Sequence, residues 1–343
     1  MDAESRVELA LKKPVCEVVT RDELKALFET NSKPRHYIGF ETSGLLHVGS
    51  LFATGIVINN LAKAGVETQV FLADWHAFAN SKLGGDWQKL EAASSYFEEA
   101  FKLYCPKTKM VRGTELYHNN DDYWRNVVKF SLNVTIARAT RTMQILGRSE
   151  HEALDVAKYI YPSMQSVDIK FLGADIAHAG LDQRKVHMLA REVFPKMGWK
   201  PPVALHHSLL PSLSGDDLKM SKSKPDTAVF IHDSAEEIAK KVGKAFCPEK
   251  TVEGNPVLEY AKFAFAFQNS FKVERPAKFG GSVEFDSAEA LETAFGKSEL
   301  HPVDLKNAVA KALDSLISPV RKHFEKGKAR ELFETVRSFQ TTR

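Results

Sequence analysis

The sequence predicts an α/β protein: a Rossmann-like, parallel-sheet domain with a helical insertion, followed by a mainly α-helical C-terminal domain. Three observations predict it. "HYIGF" and "VETQVFLAD" read as strands flanking the long apolar, helix-compatible segment "LHVGSLFATGIVINNLAKAG", and strand–helix–strand in roughly forty residues is a βαβ unit. "GADIAHAG" and "PVALHHSLL" supply further strands for the same sheet. From about residue 230 the texture changes to amphipathic helix, in "SAEEIAKKVGKAF", "LEYAKFAFAF", "SAEALETAF" and "PVDLKNAVAKALDSLISPVRKHF". The expected limits are 1–33 for an N-terminal helical segment, 34–230 for the parallel-sheet domain and 231–343 for the helical domain.

Each element has a local reason. In "TRDELKALFE" Leu24, Leu27 and Phe28 share one helix face, with Thr20 as N-cap and Glu23 three residues on. Pro34 stops helix before the first sheet strand. Gly65 suits the C-cap of the helix that begins near Leu45 or Leu46. Residues 86–104 form a further amphipathic helix and "TKMVRG" a short strand. The insertion, about 115–150, reads as helical and carries Arg125, Arg138, Arg141 and Arg148.

Length and composition bound the function. The chain has 343 residues, which suits two domains, and 43% of them are hydrophobic. A net charge of +3 permits a nucleic-acid partner through local patches without requiring one. Cys16, Cys105 and Cys247 are too far apart for a zinc-ligand motif or a disulfide framework, which points to a reducing, cytoplasmic setting. The charged N-terminus lacks the apolar core of a signal peptide. "VFLADWHAFAN" is the most apolar run, and Asp74 and His76 interrupt it, so no membrane association is expected.

Three stretches carry chemistry. In "GFETSGLLHVGSLFATG" a strand leads through a small-residue turn into a helix whose N-terminus favours phosphate. There Gly44 and Gly49 permit close approach and His47, in the first turn, can donate to a phosphate oxygen. In "YIYPSMQSVDIK" Pro162 suits the first turn of a helix, and Tyr161, Gln165 and Asp168 are spaced by four and three. That spacing aligns phenol, amide and carboxylate on one face, as a hydrogen-bonded network or the wall of a pocket for a small polar ligand. "GLDQRK" follows the next strand, where open α/β sheets bind ligands. Gly180 allows close approach there, Asp182 can accept from a sugar hydroxyl and Gln183 can bind an amine or carbonyl. The third stretch, "SGDDLKMSKSKPDT", is a loop whose Lys219 and Lys222 can reach a triphosphate, with Ser221 and Ser223 as hydroxyl donors. A solvated surface loop has the same composition.

Taken together these stretches resemble a class I aminoacyl-tRNA synthetase, with "HVGS" (47–50) in the place of the HIGH motif and "KMSKS" (219–223) matched in full. "YIGFETSGLLHVGS", "LADWHA", "YPSMQSVDI", "GLDQRKVHMLARE", "EGNPVLE" and "LHPVDLKNAVA" follow in order and are most similar to the tyrosyl branch of archaeal and eukaryotic kind, from about residue 20 to about 325. The resemblance implies tyrosine activation by ATP with Mg2+, with no protein-bound metal, and transfer to tRNA(Tyr). It implies that Tyr37 and Asp168 bind the tyrosine hydroxyl and Tyr161, Gln165 and Gln183 its α-amino end. His47, Gly49, Ser50, Lys219 and Lys222 would be catalytic. Gly39, Glu41, Gly180, Asp182, Met220 and Ser221 would join His47, Gly49 and Lys222 around ATP. Phe279, His301 and Asp304 would meet the anticodon, Arg184 and Lys185 the acceptor end, and the insertion would form a homodimer. Arg138 and Arg141 are further acceptor-stem candidates. Ser50 departs from the motif, where histidine is usual, and removes a cationic contact. Rivals are a tryptophan-specific enzyme of the same class, which Tyr37 with Asp168 disfavours, a small-molecule adenylyltransferase, and a non-catalytic RNA-binding relative.

Overall fold

A computed structural model describes residues 1–142, 155–215, 220 and 225–339. The chain divides into two compact units. The first contains residues 1–44, 57–208 and the end of the chain from 335, and is built on a six-stranded sheet. Its strands are β1 (Val15–Val19), β2 (Arg35–Phe40), β3 (Glu67–Leu72), β4 (Lys109–Arg112), β5 (Ile176–Gly180) and β6 (Val203–His207). Their order across the sheet is β1-β6-β5-β2-β3-β4. All pairings are parallel except that of β1 with β6.

The strand order places a switch point at the centre. From β2 the chain builds outward to β3 and β4, whereas β5 lies on the other side of β2 and leads to β6. The carboxyl ends of β2, at Phe40, and of β5, at Gly180, therefore flank the crevice where such sheets bind ligands. Adjacent residues Ile176 and Ala177 fall in different core clusters, as alternation along a strand requires. One cluster holds Val7, Leu24, Phe28, Val57, Leu61 and Leu205. The other holds Tyr37, Phe71, Tyr117, Tyr123, Val167 and Leu189.

The first 33 residues are not helical throughout. Helices Ala3–Ala10 and Arg21–Thr30 are present, the latter with the expected Thr20/Glu23 capping box and with Leu24, Leu27 and Phe28 buried. Between them Val15–Val19 is an edge strand. It follows Pro14, which cannot continue a helix, and its β-branched valines suit a pleated edge. Pro162 also stands elsewhere than expected: it lies inside the helix Val156–Phe171 rather than in its first turn. The insertion forms the helices Gly113–Tyr117, Asp121–Ser131 and Ile136–Thr142. Arg148 and the rest of 143–154 lie outside the described residues.

The second unit contains residues 45–56 and 209–334. Helices Ala235–Lys244, Pro256–Ala264, Ala288–Gly296 and Pro302–His323 dominate it, as the amphipathic pattern predicts. A small antiparallel pair, β7 (Phe271–Val273) and β8 (Val283–Phe285), interrupts them. Among the described residues no helix is long and apolar enough to cross a membrane.

Candidate active site

The helix Val156–Phe171 is continuous, so Tyr161, Gln165 and Asp168 share a face as their spacing demands. Asp168 is fully buried. Its Oδ1 accepts hydrogen bonds from Tyr117 Oη at 2.9 Å and Tyr123 Oη at 2.8 Å. Its Oδ2 has no hydrogen-bond partner among the described residues. His76 Nε2 stands 3.4 Å from Oδ2, within ion-pair range but without hydrogen-bond geometry. Burial pushes the Asp168 carboxyl up to about 8, with the two tyrosine donors pulling the other way and the Asp74 charge adding to the rise. His76 is itself pushed down to about 3 by burial and is neutral.

Tyr37, on β2, is buried in the same cluster, and burial together with the Asp168 charge holds its phenol well above the usual tyrosine range. Its hydroxyl lies over Gly39: a Cβ there would sit 2.8 Å from Tyr37 Oη. The glycine leaves room for the phenol. Tyr117, Tyr123 and His76 are the residues that sequence reasoning missed at this end of the pocket. They come from three other helices, Gly113–Tyr117, Asp121–Ser131 and Asp74–Ala79. The available signal was "ADWHA", where two ionisable residues interrupt an apolar run.

At the other end Tyr161 Oη donates to Glu41 Oε1 at 2.8 Å. Glu41 also accepts from Asn80 Nδ2 at 3.0 and 3.2 Å, and Lys82 Nζ is 3.7 Å away. Glu41, expected near ATP, thus stands beside a residue expected to hold the amino acid. Gln165 Nε2 reaches Gln183 Oε1 at 3.4 Å, and Gln165 Oε1 is buried without a partner. Gly180 ends β5, and Asp182 and Gln183 occupy the short 3-10 turn that follows. An unpaired amide oxygen beside acidic and phenolic acceptors suits a ligand ammonium.

The signature residues of the second unit form their own cluster. His47 is not in the first turn of a helix, as the sequence suggested. It forms an isolated antiparallel bridge with Phe230. Val48 N–H donates to Val229 O at 2.9 Å and Ile231 N–H to Leu46 O at 3.1 Å. The helix after it opens with a π-turn, Gly49–Ala53. Ser50 N–H donates to His47 Nδ1 at 3.2 Å, and Ser50 Oγ stands 2.9 Å from Nε2 and 3.3 Å from Nδ1 of the same ring. A Cβ at Gly49 would lie 2.9 Å from Met220 Cε and 3.3 Å from His47 Nδ1. Met220 is buried and its N–H donates to Leu210 O at 3.2 Å. Lys219, Ser221, Lys222 and Ser223 lie outside the described residues.

The expected RNA-facing residues have local engagements. Phe279 is 60% exposed, with Lys278 Nζ 4.9 Å from its ring centre. His301 caps the helix Pro302–His323 through Nδ1, accepting Val303 N–H at 3.2 Å, and Asp304 stands in that helix's first turn. Arg184 pairs with Glu17 at 2.8 Å, and Lys185 is exposed beside it. Arg138 pairs with Glu192 at 3.2 Å. Among the described residues no cluster of three or more His, Cys, Asp or Glu side chains is arranged to hold a metal ion.

Comparison with known proteins gives one consistent result. Residues 29–318 match the family model described as tRNA synthetases class I (W and Y). A tyrosine-tRNA ligase of Thermococcus gammatolerans is 44% identical over 378 aligned positions, covering 100% of both chains. The crystal structure of tyrosyl-tRNA synthetase complexed with L-tyrosine from Pyrococcus horikoshii superposes with a TM-score of 0.92 at 44% identity, covering 98% of this chain and 100% of that one. The tyrosyl-tRNA synthetase structure from Aeropyrum pernix gives 0.88 at 39% identity, covering 98% and 99%.

Proposed function

The chain belongs to the class I tRNA synthetases of the tryptophan and tyrosine kind, and on that premise we propose how its own residues divide the work. It is an ATP-dependent tyrosine-tRNA ligase that activates tyrosine and charges tRNA. Tyrosine's carboxylate attacks the α-phosphorus of ATP and pyrophosphate leaves. The terminal ribose hydroxyl of tRNA(Tyr) then attacks the tyrosyl-adenylate. Neither step needs a covalent enzyme intermediate, so catalysis rests on positioning and on stabilising developing charge.

Tyr37 and Asp168 take the substrate phenol. Tyr161, Gln165 and Gln183 hold its ammonium end, with Glu41 supplying the nearby negative charge. The observation that carries this reading is the unpartnered Asp168 Oδ2, a buried acceptor inside a tyrosine-lined cluster. A buried acceptor without a partner is costly, and a phenol O–H relieves it where phenylalanine cannot. Tyrosyl-tRNA synthetases are the established case of such discrimination, about 10⁵ against phenylalanine without editing.

His47, Gly49 and Ser50 serve the nucleotide, together with Gly39, Gly180, Asp182, Met220 and the loop residues Lys219, Ser221 and Lys222. Ser50 meets the His47 ring through both its backbone N–H and its hydroxyl, and so orients the imidazole. Mg2+ would come with ATP as part of that substrate and would neutralise charge on its phosphates. The helical residues 231–343 serve as the anticodon-binding domain, with Phe279 as a stacking face and His301 and Asp304 as polar contacts. Arg184 and Lys185 approach the acceptor end. The insertion serves homodimerisation, a reading supported by Val128, Leu132 and Ile136, which are 62%, 82% and 76% exposed on its surface. The cytoplasm is its place of work.

ATP–pyrophosphate exchange with tyrosine, tryptophan and phenylalanine in parallel tests the reading. Exchange with tyrosine alone is expected. Exchange with tryptophan would overturn the pocket assignment, and none with any of them, from folded protein with Mg2+, would overturn the enzyme.

A further inference from the structure

Asp168 is placed by more than its own helix. We propose that Tyr117 and Tyr123 are the positioning residues of phenol recognition: by donating together to Asp168 Oδ1, they leave Oδ2 as the one acceptor open to the substrate. This rests on the reading that Asp168 receives the tyrosine hydroxyl.

The geometry is specific. Both phenols reach the same oxygen, at 2.9 and 2.8 Å, and none reaches the other. A carboxyl oxygen has two lone-pair sites, so the two phenols fill Oδ1, and Oδ2, the oxygen on which the carboxyl holds its proton up to about pH 8, keeps a lone pair for the substrate hydroxyl. The two donors are themselves immobile. Their rings lie 4.5 Å apart, Tyr117 packs edge-on against Phe71 and Trp75, and Tyr123 against Trp124 and Phe171. Neither donor is exposed to water, which would otherwise compete for it.

His76 completes the arrangement. Its Nδ1 is 3.4 Å from Tyr117 Oη, and its Nε2 is 3.4 Å from Asp168 Oδ2. The imidazole therefore stands beside the open oxygen without occupying it. Asp74 is held away on its own donors, Thr114 N–H at 3.0 Å, Thr114 Oγ1 at 2.7 Å and Trp75 N–H at 2.8 Å.

With either tyrosine hydroxyl removed, Oδ1 regains a vacant site and the carboxyl is free to present both oxygens. The substrate phenol then meets a less defined acceptor, while a phenylalanine side chain meets an unchanged ring-lined wall. The consequence falls on selectivity rather than on turnover.

The test is pyrophosphate exchange by Tyr117→Phe, Tyr123→Phe, the double variant and Asp168→Asn, each with tyrosine and with phenylalanine. The single variants are expected to raise KM for tyrosine about tenfold, with kcat and the phenylalanine reaction little changed, so that discrimination falls by the same factor. A packing role alone would weaken both amino acids equally and leave the ratio intact, which would overturn the proposal. If Asp168→Asn loses discrimination while the tyrosine variants keep it, the positioning role fails and the pocket assignment stands. If Asp168→Asn also keeps it, the pocket assignment falls and the proposal with it. Tyr→Phe retains the ring, and the two single variants guard against one that does not fold.

Discussion

Gly39 shows what one missing atom does in the pocket. Residues 37 and 39 point to the same face of β2. A Cβ at 39 would stand 2.8 Å from Tyr37 Oη and 3.4 Å from its Cζ, and the Tyr37 ring is buried with little room to yield. Gly39→Ala should therefore displace the hydroxyl proposed to receive the substrate phenol. A shift of the order of 1 Å in such a group costs about ten- to a hundredfold. That loss is expected in kcat/KM for tyrosine in pyrophosphate exchange, with a thermal midpoint close to that of the unaltered protein. Full activity in the alanine variant would mean that the Tyr37 hydroxyl meets no substrate atom. Asp168 illustrates what spacing can reveal. Tyr161, Gln165 and Asp168 were legible because one helix sets their alignment. Tyr117 and Tyr123 were not, because their contacts with Asp168 span sequence separations of 51 and 45, and no local period records such a meeting.

Between elements, the decisive piece is the short bridge joining residues 46–48 to 229–231. It follows directly on the lysine-bearing loop and holds His47 in extended backbone. A partly buried charge pair fixes it from below. Asp233 Oδ2 accepts Phe230 N–H at 2.8 Å and Lys241 Nζ at 2.7 Å, and Lys241 also donates to Ala228 O at 3.0 Å. Arg321, from the helix Pro302–His323, donates to Asp233 O at 2.6 Å. Removing one partner of such a pair leaves a charge without compensation. Lys241→Met should cost about 3 kcal/mol in urea unfolding and lower kcat for exchange while leaving KM for tyrosine unchanged. A fall in stability with no fall in kcat would separate the charge pair from the position of His47. Sequence reading placed a helix start here because glycine, serine and apolar residues follow His47, and it had no means of seeing a partner nearly two hundred residues away. Short elements escaped for a related reason. The three residues each of β7 and β8 are too brief to show a period, and β1, an edge strand with only Val15 buried, lacks the apolar run by which the parallel strands β2, β3, β5 and β6 announce themselves.

At the scale of the whole molecule, the sheet carries a set of buried histidines whose proton balance governs stability. His36, His178 and His207 form a chain across β2, β5 and β6, at 3.1 and 2.8 Å, and His187 meets His206 at 3.0 Å. Burial lowers all of them: His36 and His187 to about 3 and His207 to about 4, with His178 well below its usual value and His206 lowered less. Glu17, 2.7 Å from His206, and the charge of Asp182 near His206 and His207 oppose the shift without cancelling it. The unfolded chain takes up protons on these groups below about pH 6.5, whereas in the folded chain His36 and His187 do not until about pH 3 and His207 until about pH 4, with His178 and His206 shifted in the same direction. Stability is therefore present above pH 6.5 and is lost as pH falls through that window, by about 1.4 kcal/mol per pH unit for each group. Asp168 runs the other way. Its folded value, near 8, lies above the unfolded one, so its contribution is fully present only below about pH 4 and is lost as pH rises to 8. It offsets one histidine between pH 4 and 6.5. The remainder, several protons, is large against a typical stability of about 5–15 kcal/mol. The ligand-free protein should unfold in mild acid, near pH 5, before most carboxylates titrate. Urea midpoints measured from pH 7.5 to 5 should fall steeply, and His187→Gln should flatten the slope by about one proton. A midpoint independent of pH across that range would mean that the histidines hold their protons alike in the folded and unfolded chains, and the buried network would then have no bearing on acid stability.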